Sequence, residues 1–273
     1  SQEFFRLPLS EKMKIRMELG GKAWRGYFPV GAELTSGEPD RKEGIYFGTE
    51  LDKSHSMVKS GTPLHGRNLY PNIPADYANA IEEYMVATVE LGHFVMRGIA
   101  LSLELPANYF ESTITNNPFI LFRIFNYPKQ NASQKSWGVG EHTDYGLLTI
   151  LKQDSVGGLQ IKSKGIWIDA PPIKNTFVCN IGDMLDRMTG GLYRSTPHRV
   201  LSNVDRDRLS FPLFFDPDFE VIVKPIPDLE PSTRTDSDRW DNENVYDFDG
   251  PYGAYLTKKV SKVFPELFKT IEQ

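Results

Sequence analysis

Between Pro74 and Glu104 the apolar positions Tyr77, Ile81, Tyr84, Met85, Leu91, Val95, Ile99 and Leu103, with Thr88 in step, recur every three to four residues. That spacing lines one side of a 3.6-residue helix, so it predicts a long amphipathic helix with its stripe on a core. Downstream the period changes. Phe119-Ile-Leu-Phe-Arg-Ile-Phe, Leu147-Leu-Thr-Ile-Leu, Phe177-Val-Cys-Asn-Ile and Arg208-Leu-Ser-Phe-Pro-Leu-Phe-Phe are short runs rich in branched and aromatic residues. They read as strands. Near the start, Ser10 to Leu19 predicts a short helix capped by Ser10 and stopped at Gly20-Gly21. Residues 21–72 predict loops with local apolar spots at Trp24, Tyr27-Phe28 and Ile45-Tyr46-Phe47, and Gly253 to Phe268 predicts a closing helix.

Residues 226–250 are polar, Pro-rich and acidic, with Asp228, Glu230, Asp236, Asp238, Asp241, Glu243, Asp247 and Asp249. Asp236-Ser-Asp238 is not followed by the glycine that a calcium loop requires, so a solvated loop is the reading. At 273 residues the chain can bury one substantial core. Its 40% hydrophobic and 25% charged residues are those of an ordinary soluble globular protein. A net charge of -5 argues against a nucleic acid as main partner. No apolar run approaches the length of a membrane span. The one cysteine, Cys179, excludes internal disulfides and suits a reducing compartment, so a cytoplasmic location is expected. Its place in an apolar run predicts a buried structural thiol. Nothing in the sequence sets an oligomeric state.

The candidate chemistry lies in His142-Thr-Asp144 and, far downstream, His198 in Ser195-Thr-Pro-His-Arg. Two imidazoles and one carboxylate form the facial triad of non-haem Fe(II), which leaves coordination positions open for a bidentate co-substrate and O2. On an extended strand residues i and i+2 share a face, so His142 and Asp144 can reach one metal while Thr143 points away. His198 opens a second β-like stretch, and two strands distant in sequence must then be neighbours in space, as in a jelly roll. A lone His-x-Asp is common by chance; the weight lies in the constellation. Of the other three histidines, His93 lies mid-helix and reads as a packed core residue. His55 and His65 lie in polar or Pro/Gly-rich loop sequence and read as surface residues, with a pocket role as the alternative. A structural zinc site is disfavoured, since three ligands without a fourth leave the shell open.

The text around these residues resembles the isopenicillin N synthase-like family of Fe(II)/2-oxoglutarate-dependent dioxygenases. The matching stretches are His142-Thr-Asp-Tyr-Gly-Leu-Leu-Thr-Ile-Leu, Gly157-Gly-Leu-Gln-Ile, Trp167-Ile-Asp-Ala-Pro-Pro, Phe177-Val-Cys-Asn-Ile-Gly-Asp, Ser195-Thr-Pro-His-Arg-Val and Arg208-Leu-Ser-Phe-Pro-Leu-Phe-Phe. Phe4-Phe-Arg-Leu-Pro fits the family's N-terminal region. The resemblance implies a mainly β fold with flanking helices around a double-stranded β-helix (jelly-roll, cupin-like) core at residues 119–225. Residues 1–118 would form a helical and loop region packed on that core, and 226–273 a C-terminal loop and helix, all in one structural unit. Family members usually begin with a strand some tens of residues before the Phe-Phe motif. On that comparison the chain looks shortened at its start, with an exposed sheet edge as the expected consequence.

The same resemblance implies His142, Asp144 and His198 as iron ligands, and Arg208 and Ser210, with Tyr127 assisting, as the grip on the distal carboxylate of 2-oxoglutarate. An arginine fork suits a carboxylate, and Ser210, at i+2, adds a hydroxyl on the same strand face. Phe214, at i+6, is the candidate for stacking on substrate, while Tyr46, Tyr27 and Arg67 are further candidates from the region that folds over the barrel mouth. The implied cofactors are Fe(II), 2-oxoglutarate and O2, with ascorbate as a reductant. The implied reaction hydroxylates, desaturates or cyclises a small organic metabolite and releases succinate and CO2. One departure stands out. Many plant members have Asn-Tyr-Tyr-Pro where this chain has Phe125-Asn-Tyr-Pro128, so the asparagine is either replaced by Phe125 or shifted to the other strand face at Asn126. An iron oxidase of the same fold that dispenses with 2-oxoglutarate therefore stays open, as does an inactive binding homologue, although a dead site has no reason to retain all five side chains.

Overall fold

The computed structural model describes residues 1–35, 37–130, 137–202, 206–230 and 245–265. Ten strands are present among them: β1 (Gly26–Phe28), β2 (Glu43–Gly48), β3 (Phe119–Tyr127), β4 (Trp137–His142), β5 (Leu148–Gln153), β6 (Leu159–Ser163), β7 (Ile166–Asp169), β8 (Val178–Ile181), β9 (His198–Leu201) and β10 (Arg208–Asp216). They form two antiparallel sheets, ordered β1-β2-β3-β10-β5-β8 and β4-β9-β6-β7. β3 to β10 thus supply four strands to each sheet, the jelly-roll arrangement. The larger sheet also recruits β1 and β2 from the stretch expected to be loops. Both are buried throughout, which explains the clustered aromatics there.

The predicted long helix is α1 (Tyr77–Ser102), which buries Tyr77, Ile81, Met85, Thr88, Met96 and Ile99 along one stripe. It lies across the outer face of the larger sheet, where Leu213 and Phe215 of β10 are fully buried. β3 is buried along nearly its whole length because α1 covers one face and the barrel interior the other; the rings of Tyr84 and Phe122 lie 5.0 Å apart. Gly92 is the point of closest approach, where a Cβ would stand 2.6 Å from the Phe215 ring. His93 is half-buried with its ring edge-on to Phe215 at 5.0 Å, so it packs at the margin of the core. A short helix, α2 (Asp183–Met188), follows β8 and is buried along most of its length.

Several sequence expectations are corrected. Ser10–Leu19 is not one helix: a four-residue helix, Leu9–Lys12, capped by Pro8, gives way to 3-10 turns, because Arg16 is extended and bridges Tyr27. Cys179 is exposed rather than buried. It is the register partner of Ile150, on the outer face of edge strand β8, while its neighbour Asn180 points inward. His55 and His65 are half-buried rather than on the surface, and both line a pocket, the alternative left open for them. The closing helix α3 runs Tyr252–Val263, and the remainder of its expected span lies mostly outside the described residues. Asp236, Asp238, Asp241 and Glu243 also lie outside them. No helix among the described residues is long and apolar enough to cross a membrane.

The α1 contact gives a paired prediction. Gly98 has nothing within 4 Å of a Cβ position, so Gly98→Ala should gain up to about 1 kcal/mol of helix propensity. Gly92→Ala meets Phe215, must displace it, and should lose that gain and about 1–3 kcal/mol more. Chemical denaturation of the two variants checks this; equal stabilisation by both would contradict the packing described.

Candidate active site

Strands β4 and β9 pair so that His142 and His198 are register partners, with ring centroids 4.2 Å apart. Each ring is oriented by its own backbone: His142 Nδ1 lies 2.8 Å from the Gly140 carbonyl and His198 Nδ1 3.1 Å from that of Thr196. A carbonyl only accepts, so each Nδ1 carries a hydrogen, which in the neutral ring leaves the lone pair on Nε2. Asp144 lies just past the end of β4, in the connection to β5, not on the strand as expected. Its carbonyl accepts from the Asp183 amide at 2.8 Å and its Oδ2 from Asn180 Nδ2 at 3.5 Å, while Oδ1 stands 3.6 Å from His198 Nε2.

One ligand atom from each of the three residues lies within 4.8 Å of the others, and this is the His/Cys/Asp/Glu group among the described residues arranged to hold a metal ion. Burial, reinforced by His198, pulls His142 down to about 3. Burial alone would raise Asp144, but the two imidazoles more than offset it and hold the carboxyl below its ordinary range. At neutral pH His142 is therefore a free base and Asp144 an anion, the states in which they ligate. Two imidazole nitrogens tied from behind and one carboxylate suit a first-row divalent cation with half its shell open.

Strand alternation builds the rest of the cavity. Arg208 faces Tyr127 across the β10–β3 ladder and Ser210 faces Phe125, so all four side chains share the inner face. Arg208 is 1% exposed; its Nη2 donates to Gln153 Oε1 at 3.1 Å, while Nε and Nη1 find no acceptor among the described residues. A buried guanidinium with two free donors is costly unless something occupies them. The Tyr127 ring lies 4.9 Å from the Arg208 guanidinium carbon, and burial keeps its phenol protonated, raised above the ordinary value. These donors fit a dicarboxylate beside the triad. Asn126 points out of the barrel and donates to Glu43 Oε1, so Phe125 takes the inward position of the missing asparagine.

The cavity is lined by the triad, Arg208, Ser210, Tyr127 and Phe214. Tyr46 lies on the inner face but underneath: its hydroxyl donates to Glu33 and its ring sits 4.2 Å from the Arg123 guanidinium carbon. Tyr27 is on the opposite face, its hydroxyl 2.5 Å from Glu43 Oε2, and Arg67 is exposed; neither lines the cavity.

Sequence reasoning missed the cavity's other charged groups. Arg123 lies between Tyr46 and Phe214, the latter 4.8 Å away, with Nη1 3.5 Å from Glu33 Oε1 and Nε without an acceptor among the described residues. Asp216 is 2% exposed; Oδ2 accepts from Tyr252 at 2.5 Å and Oδ1 has no partner among the described residues. Lys42 bridges Asp40 and Glu33. Arg123 and Asp216 could have been found by continuing the alternation from Tyr127 and Arg208. Glu33 and Lys42 come from outside any regular pattern and carried no such signal.

Residues 112–217 match the model of the 2OG-Fe(II) oxygenase superfamily, and residues 1–73 that of the non-haem dioxygenase in morphine synthesis N-terminal region. A probable iron/ascorbate oxidoreductase of Dictyostelium discoideum is 54% identical over 98% of this chain and 80% of its own. A 1-aminocyclopropane-1-carboxylate oxidase of Dictyostelium mucoroides is 40% identical over 97% and 81%. Among solved structures, a full-length Neurospora crassa protein in complex with alpha-KG and thymine superposes with a TM-score of 0.74 at 29% identity, covering 95% of this chain and 80% of that one. The chain therefore belongs to the 2OG-Fe(II) oxygenase superfamily, as an oxidoreductase of the dioxygenase type that uses Fe(II), 2-oxoglutarate and O2.

Proposed function

We propose that His142, Asp144 and His198 hold the iron, that Arg208, Ser210 and Tyr127 hold 2-oxoglutarate, and that the substrate is a small amino-acid-like metabolite which the enzyme hydroxylates, desaturates or cyclises. The observation that carries the co-substrate reading is the pair of free donors on buried Arg208, in the same cavity as the triad. When bound, iron with 2-oxoglutarate and O2 supplies the oxidising power, and 2-oxoglutarate leaves as succinate and CO2.

The chain's own groups position and select. Arg208, with its unpartnered Nε and Nη1, would hold the distal carboxylate, Ser210 would add its hydroxyl, and the Tyr127 phenol would remain a donor. The Nδ1 hydrogen bonds of His142 and His198 fix both rings so that their Nε2 atoms would be the ones to hold the iron, and Asn180 steadies the far oxygen of Asp144. Phe214, with Val139, Leu159 and Val200, supplies an apolar wall.

The substrate class rests on the charges beyond that wall. Arg123, rigidly sandwiched between two rings, offers Nε to a carboxylate, and Asp216 Oδ1 offers an acceptor to an ammonium or amide donor. A ligand with both groups satisfies both orphans, whereas a hydrocarbon would leave two buried polar atoms unmet. The relative that acts on 1-aminocyclopropane-1-carboxylate, an amino acid, points the same way.

Three outcomes check the assignment. Succinate released by the iron-loaded protein should rise with one or more amino acids and not with neutral pyrimidines; a response confined to the pyrimidines would overturn the substrate class. Arg208→Ala should raise the KM for 2-oxoglutarate at least about tenfold while iron binding is kept, and Asp144→Ala should lose iron itself.

Asp216 adds a pH dependence. Burial lifts its carboxyl to about 7, against the hydrogen bond from Tyr252. Between about pH 4 and 7 the unfolded chain gives up this proton and the folded one retains it, so stability falls as pH rises through that window, by at most about 4 kcal/mol. Asp216→Asn should flatten the fall, which melting curves across that range would reveal; identical pH slopes in wild type and variant would contradict it.

A further inference from the structure

A second cavity lies at the end of the β2–β3–β10 ladder away from Arg208, and its lining shares no residue with the active site. Arg25 is its centre. This residue is 1% exposed, and its guanidinium has one acceptor among the described residues, the Leu64 carbonyl, 3.0 Å from Nη2. Nε and Nη1 have none, and no carboxylate among the described residues forms an ion pair with it. Burial draws its pKa down to about 10 in spite of the nearby charge of Glu50. The chain leaves space for this side chain: at Gly48 a Cβ would overlap Arg25 Nη2.

The surrounding wall is rich in donors. His55 Nδ1 accepts from the Met57 amide at 3.3 Å, so its hydrogen is on Nε2. His65 stands edge-on to Phe219 at 4.7 Å, with Nδ1 2.8 Å from the Pro63 carbonyl. Thr49 and Asn117 complete this side. The one lining carboxylate is Asp218, whose Oδ1 accepts from the Glu220 amide at 3.1 Å. Arg208, the other buried arginine with two free donors, is matched by a dicarboxylate co-substrate. Arg25 has the same signature in a cavity that the reaction does not use.

We propose that the cavity walled by Arg25, Thr49, His55, His65 and Asn117 is a second, separate binding site for a small oxyanion, a carboxylate or a phosphate. The anion would meet the free Arg25 donors and the His55 Nε2 hydrogen, which gives a buried charge without an ion-pair partner a hydrogen-bonded one. Anion binding there couples to stability, because the site joins the loop from Glu50 to Leu64 to the start of β3.

The test uses the full chain with Fe(II) and 2-oxoglutarate bound under anaerobic conditions, so that Arg208 is already occupied. Inorganic phosphate and, separately, acetate are titrated at millimolar concentration while the ring signals of His55 and His65 are followed by NMR and the melting temperature is recorded. The expected result is saturable movement of both histidine signals and a rise in melting temperature with one of the two anions; which one responds identifies the source. Arg25→Gln should abolish the response. Since that variant can unfold, Thr49→Val and His55→Phe, read in protein that still binds iron, should each weaken it about tenfold. No saturable movement with either anion, or a response unchanged in Thr49→Val and His55→Phe, overturns the proposal and leaves Arg25 as a brace for the Leu64 carbonyl.

Discussion

The arrangement depends on one register. Antiparallel pairing sets His142 of β4 opposite His198 of β9, and a slip by one residue would turn either ring to the other face. Because the side-chain period of a strand is two, the same pairing that closes the smaller sheet also brings the two imidazoles together. The backbone then finishes the work locally. Each imidazole donates to the carbonyl two residues before it, so orientation requires no distant partner. Asp144, beyond the strand, is held through its own carbonyl by the Asp183 amide at the start of α2.

Buried charge is the second organising constraint. The interior of the larger sheet carries Arg123, Arg208 and Asp216 on one face, with Glu33, Asp40 and Lys42 closing over them. Such groups are tolerated where they are paired, and here the pairing is incomplete in places: Lys42 is matched by two carboxylates, while Arg208 and Asp216 keep atoms without partners among the described residues. On this face the atoms left over, on Arg123, Arg208 and Asp216, belong to residues that line the cavity. Rigid placement adds to this, since Arg123 is clamped between Tyr46 and Phe214 and Gly146 leaves no room for a side chain beside Asp216. A ligand therefore meets a surface that does not have to reorganise.

Much of this was legible in the sequence because it rests on short periods. The 3.6-residue stripe of α1, the alternation along β10 and the His-x-Asp spacing depend on residues a few positions apart. What sequence reading lost depends on the third dimension. Tyr27 and Tyr46 are nearly adjacent in kind and setting, yet the β1–β2 register sends one outward to Glu43 and the other inward beneath Arg123. Cys179 sits in an apolar run that looked internal, but β8 is an edge strand and its outer face extends past the cover of α1. Glu33 and Lys42 reach the site from irregular chain, where no period exists to read. The strands β1 and β2 were hidden for a related reason: buried on both faces, they show no alternation of polar and apolar residues.

The central claim is that the triad and the Arg208 fork together hold iron and 2-oxoglutarate in one cavity. The most direct measurement is an anaerobic titration of the Fe(II)-loaded protein with 2-oxoglutarate, followed by the visible charge-transfer absorption that arises when the co-substrate chelates the metal. The account predicts a saturable band in the wild type that needs much higher 2-oxoglutarate in Arg208→Ala, with iron content unchanged. Bound iron without any such band, or a band insensitive to loss of the Arg208 side chain, would contradict it.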